Sequence, residues 1–300
     1  MGYHRPVLLH ESIEGLNIHP KGIYVDLTFG GGGHSREVLN KLGKQGRLVA
    51  FDQDLEAEAN VPDDERFIFV GANFRYLRNF LRYHAIDRVN GILADLGISS
   101  HQIDSPERGF SFKSDQALDM RMDIRGKKKA SEVLNRYSPE DLERIFRQYG
   151  ELNNARIISR AVARARTERE LTTTGDLQEV LRKFIPRSHP SKFLARVYQA
   201  LRIEVNEEVE ALKDMLPQTA ECMAPGGRLV VITYHSVEDR LVKNYMRSGN
   251  LEGIIHKDFY GHAETPWKIV NRNVIRPAAA EIAENKRARS AKLRIAEKKQ

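Results

Sequence analysis

The chain has 300 residues, of which 41% are apolar and 30% charged, a composition that predicts a water-soluble molecule with one large domain or two smaller ones. No stretch approaches about 18 continuous apolar residues, and Met1-Gly2-Tyr3-His4-Arg5-Pro6 leads into no signal-peptide pattern, so no membrane partner and a cytoplasmic location are expected. A single cysteine, Cys222, argues against an internal disulfide or a cysteine-cluster metal site, while 48 Lys plus Arg against 41 Asp plus Glu (net +7) admit a polyanionic partner.

Strands are predicted near 22–27, 46–52, 67–70 and 89–95, each a short β-rich run bounded by glycine or polar residues. Helical connections between them predict a parallel, doubly wound α/β sheet. The first strand (Ile23, Tyr24, Val25) runs into Asp26-Leu27-Thr28-Phe29-Gly30-Gly31-Gly32-Gly33-His34-Ser35, and helical spacing (Val38, Leu39, Leu42) follows. That order reads as strand, glycine turn, helix. Four glycines let backbone N–H groups approach a ligand with no Cβ in the way. The second strand ends in Asp52-Gln53-Asp54, and a carboxylate at that tip is where such folds grip ribose hydroxyls.

The glycine spacing bears on which nucleoside ligand fits. A dinucleotide fingerprint has glycines at its first, third and sixth positions, and counting from Gly30 the sixth is Ser35. A phosphate loop ends in Gly-Lys-Ser/Thr, whereas this run ends Gly33-His34-Ser35. Asp26 repels a pyrophosphate and suits a cation such as the sulfonium of S-adenosylmethionine.

After Asp95-Leu96-Gly97-Ile98-Ser99-Ser100 the rhythm changes. Leu142, Ile145, Phe146 and Tyr149, then Ile157, Ala161 and Ala165, fall at helical spacing; Pro139 after Ser138 marks a helix start, and Pro186 with Pro190 a break. A fifth strand is predicted only at 226–234. The predicted organisation is an α/β domain over 1–104 and 216–300, interrupted by a helical domain at 105–215. Asp26, Asp52 and Asp95 are expected to face one crevice, which calls for a cationic ligand or nearby donors. A divalent metal is the competing explanation, disfavoured because the carboxylates sit on separate strands with no compact ligand cluster; no metal is expected.

Three basic features predict phosphate contacts. Arg156, Arg160 and Arg164 form an i, i+4, i+8 stripe within a segment, 105–215, that holds 22 basic and 18 acidic residues. Lys127-Lys128-Lys129 reads as a cationic loop. Lys292 and Arg294 alternate with Ala291, Leu293 and Ile295, which predicts a final strand with a basic outer face.

Several pieces are recognisable together: His4 to Glu11, Asp26 to Ser35, Asp95 to Gln102, Arg108-Gly-Phe-Ser-Phe112 and Leu118-Asp-Met-Arg-Met-Asp123. Tyr198-Gln-Ala-Leu-Arg-Ile203 with Val205-Asn-Glu207, His235-Ser-Val-Glu-Asp-Arg240 and Arg287-Ala-Arg-Ser-Ala-Lys292 complete the set. In this order, over nearly the whole chain, they closely resemble the bacterial small-subunit ribosomal RNA (cytosine-N4)-methyltransferase family, also called MraW or RsmH. The resemblance implies a class I S-adenosylmethionine-dependent methyltransferase fold, a Rossmann-like sheet with an inserted all-helical substrate domain. It also implies methylation of a cytidine exocyclic amine in the decoding region of the small-subunit (16S) rRNA. S-adenosyl-L-methionine is the implied cofactor, the small ribosomal subunit the implied context, and a homodimer a candidate assembly.

Carried over, the cofactor contacts are Gly32, Gly33, His34, Asp52, Phe74, Asp95 and Gln102. Cytosine N4 is a poor nucleophile, so transfer needs alignment and a proton acceptor; the candidates are Asp119, Asp115 and Asp95. Arg121 and His235 are candidates for the substrate side. The chain departs from the family at Gln116-Ala117, where Gly-Pro is usual, and at Thr233-Tyr234, where Ser-Phe is usual. It also lacks the Asp/Asn-Pro-Pro-aromatic element of many amine methyltransferases, reading Asp95-Leu96-Gly97-Ile98 in the equivalent place. Two alternatives stand beside this reading: a methyltransferase of another substrate, such as DNA or a small molecule, and a non-catalytic rRNA-binding assembly factor with a vestigial pocket.

Overall fold

A computed structural model describes residues 6–300; Met1–Arg5, which include the start of the His4–Glu11 motif, lie outside the described residues. The chain divides into two compact units: the described residues up to Gly97 together with Val209–Gln300, and Ile98–Glu208. The second unit therefore starts at 98 rather than 105 and ends at 208 rather than 215. In chain order the first unit runs through α1 (Leu9–Leu16), β1 (Ile23–Asp26), α2 (Gly33–Lys41), β2 (Arg47–Phe51), β3 (Phe67–Val70), α3 (Leu77–Tyr83) and β4 (Val89–Asp95). The second holds α4 (Ser100–Asp104), α5 (Ala130–Arg136), α6 (Pro139–Gln148), α7 (Ala155–Glu168), α8 (Thr174–Leu181) and α9 (Pro190–Asn206). Then come α10 (Glu208–Cys222), β5 (Met223–Thr233), α11 (Ser236–Ser248), β6 (Trp267–Ile269), α12 (Ala279–Glu284) and β7 (Lys292–Lys298).

The strands form one sheet in the order β3-β2-β1-β4-β5-β7-β6. β1 to β5 are parallel, and β7 is antiparallel to both β5 and β6. Strand order runs outward in opposite directions from β1 and β4, so the switch point, beyond whose carboxyl ends such sheets bind ligands, lies between them. Alternation of side chains splits the core in two. Val25, Phe51, Ile92 and Val231 turn to one face, where α3 (Leu77, Leu81), α10 (Leu212, Met215) and α11 (Val242, Tyr245) cover them. Tyr24, Leu48, Leu93 and Val230 turn to the other, under α1 (Ile13, Leu16) and α2 (Val38, Leu39). Each such fully buried side chain contributes about 1.5–3 kcal/mol. Asp26 and Asp95 share parity with Tyr24 and Leu93, so both belong to the face that α2 covers.

The predicted parallel strands are present, and the single cysteine, Cys222, is buried in the core. Sequence periodicity missed β6, three residues long, whose Trp267 is only 2% exposed. The final strand is also differently placed. β7 lies inside the sheet between β5 and β6, and Lys292 and Arg294 both grip Asp239 of α11, at 2.9 and 2.8 Å. The expected basic outer face is therefore corrected to a paired cluster. No helix among the described residues is long and apolar enough to cross a membrane.

In the second unit, Leu142, Ile145 and Phe146 of α6, Ile158 and Val162 of α7, Leu177 and Leu181 of α8, and Val197 and Leu201 of α9 form one core. Ser138 caps α6 by accepting the Asp141 N–H at 3.0 Å, with Pro139 at the first helical position. α9 starts at Pro190, as the proline break predicts. The loop before α5 is pinned by Asn206, which accepts the Met122 N–H (2.6 Å) and donates to the Met120 carbonyl (2.7 Å), and by Arg108, which donates to the Arg121 and Met122 carbonyls. Gly109 makes this packing feasible: its φ is +68°, and a Cβ there would lie 2.0 Å from the Ala117 carbonyl oxygen. Gly109→Ala is therefore expected to cost about 3 kcal/mol or more. Hydrogen exchange over α5–α9 checks this, since protection equal to that of the parent would contradict it.

Candidate functional site

The first unit's switch point is built on the turn after β1. Leaving Asp26, the chain crosses both neighbouring strand tips, with the Leu27 N–H on the Leu93 carbonyl (2.8 Å) and the Phe29 N–H on the Phe51 carbonyl (2.9 Å). Gly30 (φ +49°) and Gly32 (φ +71°) adopt left-handed conformations that side chains disfavour, and nothing lies within 4 Å of a Cβ position at Gly30. Gly32 is the N-cap of α2 with no side-chain cap, so the positive end of the helix is presented by backbone alone. Gly33 is required for another reason: a Cβ would meet Pro6 Cγ at 2.1 Å.

Three carboxylates meet this turn, each with named partners. Asp26, 1% exposed, accepts the Ser35 hydroxyl (2.6 Å) and the Thr28 N–H (3.0 Å), yet burial pushes its carboxyl above the usual range. Asp52 accepts the Gly30 N–H (2.7 Å) on one oxygen and the Asp54 N–H (2.9 Å) on the other, which clamps the glycine turn to the tip of β2. Burial, against those two bonds and helped by the neighbouring Asp54 and Asp26 charges, pushes Asp52 up to about 6. Asp95 donates its N–H to Thr28 Oγ1 (2.7 Å) and accepts the Tyr234 hydroxyl on Oδ1 (2.8 Å). Burial, with the Asp26 and Glu238 charges, pushes it up to about 7, against the tyrosine bond.

His34, in the first turn of α2, completes the group. Its Nε2 lies 3.2 Å from the Val7 carbonyl and its Nδ1 lies 3.9 Å from Asp95 Oδ2. Burial pulls the imidazole down to about 4, so it is neutral at pH 7. A carbonyl only accepts, so Nε2 carries the proton and Nδ1 is an acceptor. Two acceptors, Nδ1 and Asp95 Oδ2, thus face the same space, and a donor N–H or a protonated Asp95 satisfies both. Phe74 follows β3 at the start of a short turn, half-buried against the core. Asn73 beside it donates to Gln53 (2.7 Å), tying the loops after β3 and β2 together.

The other expected site residues have local partners. Gln102 closes a capping box on α4: its Oε1 accepts the Ser99 N–H while Ser99 Oγ accepts the Gln102 N–H, each at 3.1 Å. Asp119 is held by both nitrogens of an Arg121 fork at 2.7 Å, with Lys129 at 3.6 Å. Burial pushes Asp119 up, but these cations outweigh it and keep the carboxyl below its usual range. The rest of the Arg121 guanidinium donates to the Ile124 and Gly126 carbonyls, both at 2.7 Å. Asp115 is exposed, and bonds from Thr173 and from the Gly175 N–H (2.7 Å) lower it. His235 caps α11, its Nδ1 accepting the Glu238 N–H and its Nε2 lying 2.9 Å from Glu238 Oε1. Arg156, Arg160 and Arg164, by contrast, stand exposed along α7 with Ile158 and Val162 buried behind them, and show no ion pair among the described residues. Sequence reasoning missed Thr28 and Tyr234 as partners of Asp95; for Tyr234 the signal was only its departure from the usual Ser-Phe.

A family profile described as the MraW methylase family matches residues 1–299. The chain is 57% identical over 297 residues to the ribosomal RNA small subunit methyltransferase H of Bacteroides thetaiotaomicron, covering 99% of this chain and 98% of that one. It is 53% identical to the protein of the same name from Flavobacterium johnsoniae, with 99% and 98% covered. Among solved structures it is similar to an rRNA methylase from Streptococcus thermophilus, with 11% identity, a TM-score of 0.43, and 97% and 96% of the two chains covered. With the profile spanning both units and relatives above half identity aligned end to end, the chain belongs to the MraW methylase family.

Proposed function

We propose that the protein transfers a methyl group from S-adenosylmethionine to the exocyclic N4 of a cytidine in the decoding region of small-subunit rRNA. The observation that carries the cofactor half is the switch-point crevice. A glycine turn with open space at Gly30 lies between one carboxylate at the tip of β2 and an acceptor pair, Asp95 Oδ2 and His34 Nδ1, beyond β4 and α2. Donor-poor and acceptor-rich, this set fits a cationic, amino-bearing nucleoside and opposes a pyrophosphate. Asp52 accepts the ribose hydroxyls on its remaining lone pairs, and the half-buried Phe74 packs on the adenine. When bound, S-adenosylmethionine supplies an electrophilic methyl carbon on a positive sulfur.

The transfer makes an N4–carbon bond and breaks the carbon–sulfur bond, and N4 gives up one proton. Asp119 and Asp115 are held as low-affinity proton acceptors by their own donors, whereas Asp95 sits near neutrality, where a general base works best. We assign the proton to Asp95. The helical unit, 98–208, is assigned to the RNA, with Arg156, Arg160 and Arg164 on its phosphates and the small ribosomal subunit as the context. The close relatives' names, which specify small-subunit ribosomal RNA, support this substrate.

Titration calorimetry with S-adenosylmethionine, followed by methylation of intact small subunits against naked rRNA and mapping of the modified nucleotide, tests the reading. Heat of binding together with a single modified cytidine is expected. No heat points to an assembly factor with a vestigial pocket, and modification of DNA to another substrate. Asp52→Ala is expected to weaken cofactor binding about 10- to 100-fold, the loss of two charge-assisted hydrogen bonds. Affinity within twofold of the parent contradicts the ribose role.

A further inference from the structure

The Asp95 carboxylate has two oxygens with different surroundings. Oδ1 accepts the Tyr234 hydroxyl at 2.8 Å, and Oδ2 faces His34 Nδ1 at 3.9 Å. Tyr234 follows β5, the strand that pairs with β4 up to Asp95 and Ile232, so the two residues are brought together by adjacent strand ends. Its own backbone is also fastened: the Tyr234 N–H donates to Glu238 Oε2 at 2.9 Å. The hydroxyl has one strong acceptor, and the carboxylate has no other side-chain donor at hydrogen-bond distance among the described residues. A carboxylate bonded to a single buried donor on one oxygen is fixed in rotation, because turning it would break that bond without replacement.

We propose that Tyr234 is a positioning residue: its hydroxyl holds Asp95 Oδ1 and thereby makes Oδ2, beside His34, the acceptor offered at the end of β4. This rests on the reading that the switch-point crevice binds S-adenosylmethionine. The groups facing Asp95 are Asp26 at the end of β1, His34 on α2, Glu238 on α11 and Tyr234 itself. Tyr234 is faced in addition by Glu281 on α12. Two of Asp95's neighbours are anions that oppose its ionisation, and the neutral imidazole adds no compensating charge. The tyrosine hydroxyl is the side-chain donor that favours the carboxylate form. Removing it has two consequences: Asp95 loses its fixed rotamer, and it titrates at higher pH.

Tyr234→Phe keeps the ring and deletes only the hydroxyl. In the unliganded protein, the Asp95 carboxyl carbon followed by 13C resonance is expected to titrate about one pH unit higher in Y234F than in the parent. S-adenosylmethionine affinity, measured by calorimetry, is expected to be about fivefold weaker at pH 7 and within twofold of the parent at pH 8.5, where Asp95 is ionised in both. An unchanged Asp95 titration overturns the proposal. So does an affinity loss of equal size at both pH values, which is what a merely packing role would produce. If the titration moves as expected but the parent gives no heat with S-adenosylmethionine at any pH, the positioning of Asp95 is supported and the cofactor reading alone is overturned.

Discussion

Replacing Asp95 by Asn is expected to stabilise the unliganded protein while removing most of its methyl transfer. Asp95 is pushed up to about 7 in the folded chain, above its unfolded value near 4, so the folded state binds the proton more tightly. The folding penalty is therefore absent below about pH 4, grows as pH rises, and is complete above about pH 7. Asn carries no charge at any pH, and its carbonyl oxygen still accepts from Tyr234. With allowance for the 23% exposure of the side chain, the gain at pH 8 is about 1–3 kcal/mol, or roughly 2–5 °C in melting temperature. It should vanish toward pH 4. Single-turnover methylation should meanwhile fall about 10²- to 10⁴-fold, the usual worth of a positioned proton acceptor. Scanning calorimetry from pH 5 to 8 checks the first half and rapid-quench kinetics the second. A lower melting temperature at pH 8, or an unchanged rate, would remove Asp95 from the role assigned to it.

The second large effect belongs to the other unit. Changing Arg156, Arg160 and Arg164 together to Ala is expected to weaken rRNA binding about 100-fold near 0.1 M salt. The slope of log affinity against log salt should flatten by about 2, three phosphates at roughly 0.7 each. Stability should hold, because the three side chains are exposed without ion pairs among the described residues and Ala favours helix. Cofactor binding, assigned to the first unit, should not change. Filter binding across a salt series reads the slope. A parallel downward shift with no change in slope would mean that the arginines touch something other than phosphate.

Much of the sheet was legible because its strands are buried on both faces. Runs such as Leu48-Val49-Ala50-Phe51 and Gly91-Ile92-Leu93-Ala94 declare themselves without knowledge of their neighbours. The glycine turn was legible for the same local reason, since strand, turn and helix are contiguous. What escaped depends on partners far along the chain. Lys292 and Arg294 look like a solvated face until Asp239 arrives from α11, and Trp267 is a strand residue only because β7 runs beside it. Asp119 and Arg121 illustrate the opposite case. Two residues apart and of opposite charge, they satisfy each other, so a motif that reads as reactive is internally neutralised. In the acidic crevice the sequence named Asp26, Asp52 and Asp95 but not the Tyr234 hydroxyl, which reaches Asp95 across 139 positions.

The antiparallel β7 bears on how this protein is made. Residues 292–298 sit between β5 and β6, so neither the pairing of β5 on that side nor the attachment of β6 exists until β7 has left the ribosome. At a synthesis rate of roughly 5–20 residues per second, β4 emerges about 6–26 s before β5 and about 10–40 s before β7, with the helical unit made in between. Until β5 emerges, β4 leaves the edge opposite β1 unpaired, and the 98–208 unit, with its own core, is free to fold first. The order of translation thus delays assembly of the Asp95–Tyr234 pair, because Tyr234 follows β5, and a growing chain acquires its crevice only after the whole of the 98–208 unit has been made.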